Sequence, residues 1–293
     1  MFIHKPVLLN EVLKILAVQS RKRYIDATVG EGGHALAIAQ AGGKVLGIDR
    51  DPEILKKAGS RMQEAGVAER VRLVRGNFRE IDRIADKNGF TDADGVLMDL
   101  GVSSWQLEES GRGFTFQKEE PLDMRTDPHL SVTAADLLNG LTKNELTELF
   151  QKFGEEERAW PLASSIVSAR TLKPFETTGD LVKVVAKVKG SGCKKRVHPA
   201  TKVFQALRIA VNDEVENLRS ALPRAFGVLQ TGGRLVVISF HSLEDREVKR
   251  FLREQEKEGL GAVLTEKPIR PAPFEVSKNP RSRSARLRSV EKK

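Results

Sequence analysis

A chain of 293 residues with a 40% hydrophobic share is long enough for one large domain or two ordinary ones. Its one cysteine, Cys193, excludes an internal disulfide framework, and the five histidines lack metal-ligand spacing, so no metal site and a reducing cytoplasm are expected. The formal net charge of +9 sits in two segments: residues 183–202 carry seven basic residues and no acid, and residues 278–293 carry seven against Glu291. Basic segments on an otherwise slightly acidic body suit a polyanionic partner, because Lys and Arg at phosphates gain affinity by releasing counterions. Two solvated arms are the plainer alternative.

In chain order, "MFIHKPVLLNEVLKILAVQS" is interrupted by Lys5, Glu11 and Lys14, which spoils a signal-peptide core, and no later run reaches membrane-spanning length. No membrane partner is expected. Four apolar runs then follow, "RYIDAT", "KVLGID", "VRLVRG" and "DGVLMD", separated by helix-like stretches such as Ala35 to Ala41 and Pro52 to Ala65. Strand, helix, strand repetition implies parallel strands with right-handed crossovers, hence an α/β, Rossmann-like sheet. From about Gln106 to Lys202 no comparable strand run occurs, while "TAADLLNGLTKNELTELFQKFG", "EERAWPLASSIVSAR" and "TTGDLVKVVAKV" have helical periodicity. The expected organisation is an α/β domain, 1–105 with 203–293, carrying an inserted helical substrate-recognition domain over 106–202. The α/β rhythm is expected to resume in one apolar stripe, Phe204, Leu207, Val211, Val215 and Leu218. After Gly232 and Gly233 come the strand "RLVVISF", the helix "LEDREVKRFLREQEKE", and two last strands, "AVLTEKPI" and "SARLRSV".

The stretch "DATVGEGGHA" puts glycines between a strand and a helix, where main chain can approach a ligand closely and helix N–H groups are unpaired. Gly30, Gly32 and Ala35 fit the G-x-G-x-x-G/A spacing, and Asp49 closes the second strand, where an acid would hold ribose hydroxyls. This alone does not separate NAD from S-adenosyl-L-methionine. Phe78, after the third strand, fits either an adenine contact or a core position. Asp99 ends the fourth strand, and a carboxylate there suits a cationic sulfonium donor or a target amine better than hydride transfer.

The sequence resembles the MraW/RsmH family of bacterial S-adenosylmethionine-dependent methyltransferases, which modify the N4 amine of a cytidine in small-subunit ribosomal RNA. The motifs carrying the resemblance are "HKPVLLNEVL", "DATVGEGGHA", "GIDRDP", "MDLGVSSWQL", "PLDMR", "ALRIAVNDE", "SFHSLEDR" and "NPRSRSARLR", in family order along nearly the whole chain. The resemblance implies cofactor contacts at Gly32, Gly33, His34, Asp49, Phe78, Asp99 and Gln106. The PPY/F-type motif of many amino methyltransferases is replaced by "DLGVSS", which leaves the amine-holding group open.

For the chemistry, direct in-line methyl transfer is expected, with alignment supplying most of the acceleration and an acceptor on the amine favouring its lone pair. Asp99 and His241 are the candidate acceptors. Asp123 and Arg125 can line the substrate side or pair internally, and Trp105 and Trp160 can stack on bases or pack in the core. RNA phosphates are assigned to the basic segments, foremost Lys194, Lys195 and Arg196, and a tail strand at the sheet edge would put Arg281 and Arg283 on one face. The competing functions are an NAD-dependent oxidoreductase and a non-catalytic ribosome-assembly protein. Preference for S-adenosylhomocysteine over NAD, and methyl transfer to small-subunit RNA, discriminate them.

Overall fold

The computed structural model describes residues 6–190 and 198–293, which form two compact units, Met1–Gly101 with Val215–Lys293, and Val102–Glu214. The first unit begins with α1 (Leu9–Ile15), β1 (Arg23–Asp26), α2 (Gly33–Gln40), β2 (Lys44–Asp49), α3 (Pro52–Glu64), β3 (Val71–Arg75), α4 (Ile81–Asn88) and β4 (Ala93–Asp99). The second holds α5 (Ser104–Glu108), α6 (Ala134–Gly140), α7 (Lys143–Gly154), α8 (Ala159–Arg170), α9 (Thr178–Lys189) and α10 (Thr201–Asn212). The chain then returns to the first unit with α11 (Glu214–Gly227), β5 (Leu229–Ser239), α12 (Ser242–Lys257), β6 (Gly261–Val263), α13 (Pro273–Lys278) and β7 (Arg286–Lys292).

The strands form one seven-stranded sheet in the order β3-β2-β1-β4-β5-β7-β6. The first five are parallel, and β7 runs antiparallel between β5 and β6. Both faces are covered, which is why the inner parallel strands β2, β1, β4 and β5 read as largely apolar runs, while the edge strand β3 keeps exposed arginines. Ile25, Ile48, Val96, Met98 and Val237 pack with Ile81, Leu218, Leu222, Val248 and Phe251 on one face, while Tyr24, Val45, Leu97 and Val236 pack with Val12, Ile38 and Met62 on the other. Each such side chain, fully buried, contributes about 1.5–3 kcal/mol.

Local signals set the helix starts. Asp51 accepts the Glu53 N–H at 3.0 Å with Pro52 in the first turn of α3, while Thr133, Thr142 and Thr177 each close a capping box with the acid three residues on.

Three expectations change. The stripe from Phe204 to Leu218 is two helices, because Asp213 takes a left-handed conformation (φ 50°) and ends α10. Phe204, Leu207 and Val211 therefore belong to the helical unit's own core, with Leu146, Phe150 and Ile166, while Leu218 packs on the sheet. The helical unit accordingly spans 102–214 where the sequence suggested 106–202. Second, β5 begins at Leu229, and its glycines make a bulge inside it: Gly232 has φ +80°, and a Cβ at Gly233 would lie 2.8 Å from the Ala93 carbonyl oxygen. Third, the tail strand is interior, and Arg281 and Arg283 lie on a 3-10 turn before it (Pro280–Ser284). A hydrogen-bonded strand already covers each side of β7, so it cannot be the edge.

Candidate functional site

Strands β4, β1 and β2 are adjacent and parallel, so Asp99, Asp26 and Asp49 gather at one edge of the sheet, where open α/β sheets bind ligands. The chain leaving β1 crosses this edge as the glycine turn: the Ala27 N–H bonds to Leu97 O at 2.9 Å and the Val29 N–H to Ile48 O at 2.9 Å. Gly30 (φ +51°) and Gly32 (φ +80°) then take left-handed conformations, and α2 starts at Gly33 with no side-chain cap. Asp49 holds the turn in place. Its Oδ2 accepts from the Gly30 N–H at 3.0 Å and its Oδ1 from the Asp51 N–H at 3.0 Å. Thr28 ties the turn to β4, its Oγ1 accepting the Asp99 N–H at 2.6 Å.

The electrostatics of this edge are those of acids crowded away from water. Burial pushes the Asp26 carboxyl up to about 7, against the opposing pull of His34 and of the Thr28 N–H, with Asp99 and Asp49 adding to the rise. Burial likewise raises Asp49 to about 6, although the Asp51 and Gly30 N–H groups favour its charge. His34 is 5% exposed, with Nε2 3.4 Å from Asp99 Oδ2, and neither ring nitrogen makes a hydrogen bond among the described residues. Asp99 Oδ1 is also buried without a hydrogen bond there.

Gly32, Gly33, His34, Asp49 and Asp99 thus converge at one edge. Phe78 lies on a 3-10 turn after β3, its ring partly buried against the core and 5.3 Å from the Arg50 guanidinium, so the core reading holds in part. His241 follows β5, which pairs with β4 as expected, but its imidazole is a helix cap: Nδ1 accepts the Glu244 N–H at 3.3 Å and Nε2 lies 3.1 Å from Glu244 Oε1. With Nδ1 spent on a backbone N–H and Nε2 beside a carboxylate, the imidazole is engaged in the cap of α12. Sequence reasoning passed over Asp26 and Thr28. Their signal was the opening of "DATVGEGGHA", an acid at a buried strand end followed by a hydroxyl.

The sequence matches the MraW methylase family over residues 1–293. The chain belongs to that family. A relative from Thermomicrobium roseum, named ribosomal RNA small subunit methyltransferase H, is 48% identical, the match covering 99% of this chain and 93% of the relative. A Coprothermobacter proteolyticus protein of the same name is 45% identical over 99% and 96% of the two chains. A Clostridium thermocellum crystal structure, titled as a candidate rRNA methylase, superposes with a TM-score of 0.50 at 14% identity over the full length of both, and shows the shared Rossmann-like methyltransferase fold.

In the helical unit of this MraW-family chain, Gln106 is buried in a capping box with Ser103, its Oε1 accepting the Ser103 N–H at 2.9 Å. Arg125 and Asp123 form a two-pronged ion pair at 2.8 and 2.7 Å, and Arg125 Nη1 also reaches the Leu130 carbonyl at 2.6 Å. The pair therefore fastens the "PLDMR" loop, the internal role that the sequence left open. Trp160 is 57% exposed with Lys143 Nζ 4.4 Å from its ring centroid, whereas Trp105 is half-buried under Arg112. Lys194, Lys195 and Arg196 lie outside the described residues. Of the tail's cations, Arg286 and Arg288 pair with Asp245 at 2.9 and 2.7 Å, and Lys292 caps the Gly227 and Leu229 carbonyls. These three cations of the tail are thus structural, while Lys278, Arg281 and Arg283 are exposed. Among the described residues no helix is long and apolar enough to cross a membrane.

Proposed function

We propose that this chain transfers a methyl group from S-adenosyl-L-methionine to the N4 amine of a cytidine in small-subunit (16S) ribosomal RNA. The observation that carries the reading is Asp99, whose buried Oδ1 faces no donor among the described residues. A buried acceptor left unpaired costs about 1–3 kcal/mol, a cost relieved by an incoming N–H. The exocyclic amine of cytosine supplies one.

The residues fit the methyl donor. A Cβ at Gly30 would meet nothing nearer than the Thr28 carbonyl at 3.9 Å, so the turn is open at Gly30, while Gly32 packs on Met62 and Gly33 on Pro6. Asp49 has spent one lone pair on each oxygen and keeps another on each for a ribose diol. Phe78 flanks the adenine, Gln106 is a further contact, and the ring nitrogens of His34 offer polar partners at the start of α2. Three carboxyls at one edge favour a cation. S-adenosylmethionine supplies an electrophilic methyl group on a positively charged sulfur.

The N4 lone pair is delocalised into the ring, and an N–H bond accepted by Asp99 pulls the amine toward the geometry in which that lone pair can attack. Transfer is direct and in line. The amine proton passes to water after the nitrogen–carbon bond has formed. A paired cytidine cannot reach a strand-end crevice, so the target is single-stranded or flipped out. The helical unit and the basic segment bearing Lys194, Lys195 and Arg196 bind the RNA, naked or within the small subunit, and the setting is cytoplasmic. The relatives' shared name supports an RNA substrate of this class. Incubating undermethylated small subunits with the wild-type chain and methyl-labelled donor, then digesting the RNA to nucleosides, is expected to place the label in N4-methylcytidine. Label in another nucleoside would remove the amine assignment.

A further inference from the structure

The segment joining β6 to β7 carries an aromatic ring where an apolar group gains nothing from exposure. Phe274, on α13, is 69% exposed, the most exposed aromatic side chain among the described residues. Lys278, one turn on, holds its Nζ 4.2 Å from the ring centroid. Lys267, Arg270, Lys278, Arg281 and Arg283 are all exposed on the same segment, with Glu266 the one exposed acid among them. The other acid, Glu275, is turned inward: its Oε1 accepts the Leu8 N–H at 2.8 Å.

That inward bond also locates the segment. Leu8 is buried and lies two residues after Pro6, whose ring would sit 3.2 Å from a Cβ on Gly33. Ile269, earlier in the segment, bridges to Leu287 of β7 and packs with Leu8, Val7 and Ala285. The ring is therefore displayed from an anchored base beside the glycine turn. An exposed ring with cations around it is the pattern that single-stranded nucleic acid uses, bases stacking on the π-face while phosphates meet the charges.

We propose that Phe274 is a stacking platform for an unpaired nucleotide of the RNA substrate, with Lys278, Arg270 and Arg283 placed for the flanking phosphates. The proposal rests on the reading of the substrate as RNA. Its test uses the full chain and a fluorescent single-stranded RNA of about 15 nucleotides, followed by anisotropy, with S-adenosylhomocysteine affinity measured on each variant as a check on the fold. Phe274→Ala is expected to weaken RNA binding about tenfold and Phe274→Trp to restore it, both keeping homocysteine-product affinity within about twofold. Lys278→Gln is expected to reduce the dependence of log K on log salt by about 0.7. If the wild-type chain binds neither this RNA nor undermethylated small subunits, the substrate reading itself falls. If it binds RNA and Phe274→Ala binds equally well, or loses only self-association, the platform alone is overturned.

Discussion

Asp26 is 1% exposed at the end of β1, and burial there works against its charge. With its folded pKa pushed up from 3.8 to about 7, the native state keeps a proton that the unfolded chain has released across that window. Stability from this group is therefore present below pH 4 and lost as pH rises through about 7. The cost at higher pH is on the order of 1–3 kcal/mol, and it keeps a latent negative charge beside His34 and Asp99. Asp26→Asn removes the titration. Urea unfolding at pH 5 and pH 8 is expected to show the wild type losing stability between the two and the variant losing less, the gap shrinking by about 1–3 kcal/mol. An equal gap in both proteins would show that the carboxyl ionises normally.

Between elements of the first unit, a largely buried ion-pair cluster joins α12 to β7. Burial alone would raise the Asp245 carboxyl, but the guanidinium groups of Arg288 and Arg286 overcome it and hold the group below the usual carboxylate range. Arg288 is 7% exposed, so removing either partner strands a desolvated charge. Arg288→Met is expected to destabilise the chain by about 2–4 kcal/mol in urea, and Asp245→Leu by a similar amount. The double variant should cost at least about 1 kcal/mol less than the two singles together. Strict additivity would show that the charges do not couple.

The same pair marks how far these elements can be foreseen. Strands β1, β2 and β4 were legible because burial on both faces writes a nearly continuous apolar run, whereas the edge strand β3 alternates apolar residues with exposed arginines. The helix starts were legible in Thr177 and Asp180, whose spacing is itself the capping contact. The end of α10 was not, because only the left-handed backbone of Asp213 divides one apolar stripe between two cores. In the candidate site, the glycines and Asp49 announced themselves by spacing, but the roles of His241 and Arg125 depend on which lone pairs and donors are already spent. The interior position of β7 turned the arginines of "SARLRSV" from phosphate contacts into structural partners, and alternation of charge along the strand gave no sign of Asp245 waiting for them.

For the whole molecule, the distribution of charge matters more than the net +9. In the first basic segment Lys189 is tied to Glu156 at 2.6 Å and Lys202 to the Glu155 carbonyl at 2.7 Å. Lys183 and Lys187 stay exposed on α9, and the chain beyond α9 leads to Lys194, Lys195 and Arg196. With Arg286, Arg288 and Lys292 of the tail engaged internally, the RNA contact proposed above falls first to this segment. Counterion release then fixes the size of the effect, since each phosphate contact on a single strand contributes about 0.7 to the slope of log K against log salt. Replacing Lys194, Lys195 and Arg196 together by Gln should lower that slope by roughly two, leaving the affinity for S-adenosylhomocysteine as it was. Titrations of small-subunit ribosomal RNA at several salt concentrations read this directly. An unaltered slope would mean that these three residues meet no phosphate, and the charge asymmetry of the chain would then have to serve solubility rather than substrate binding.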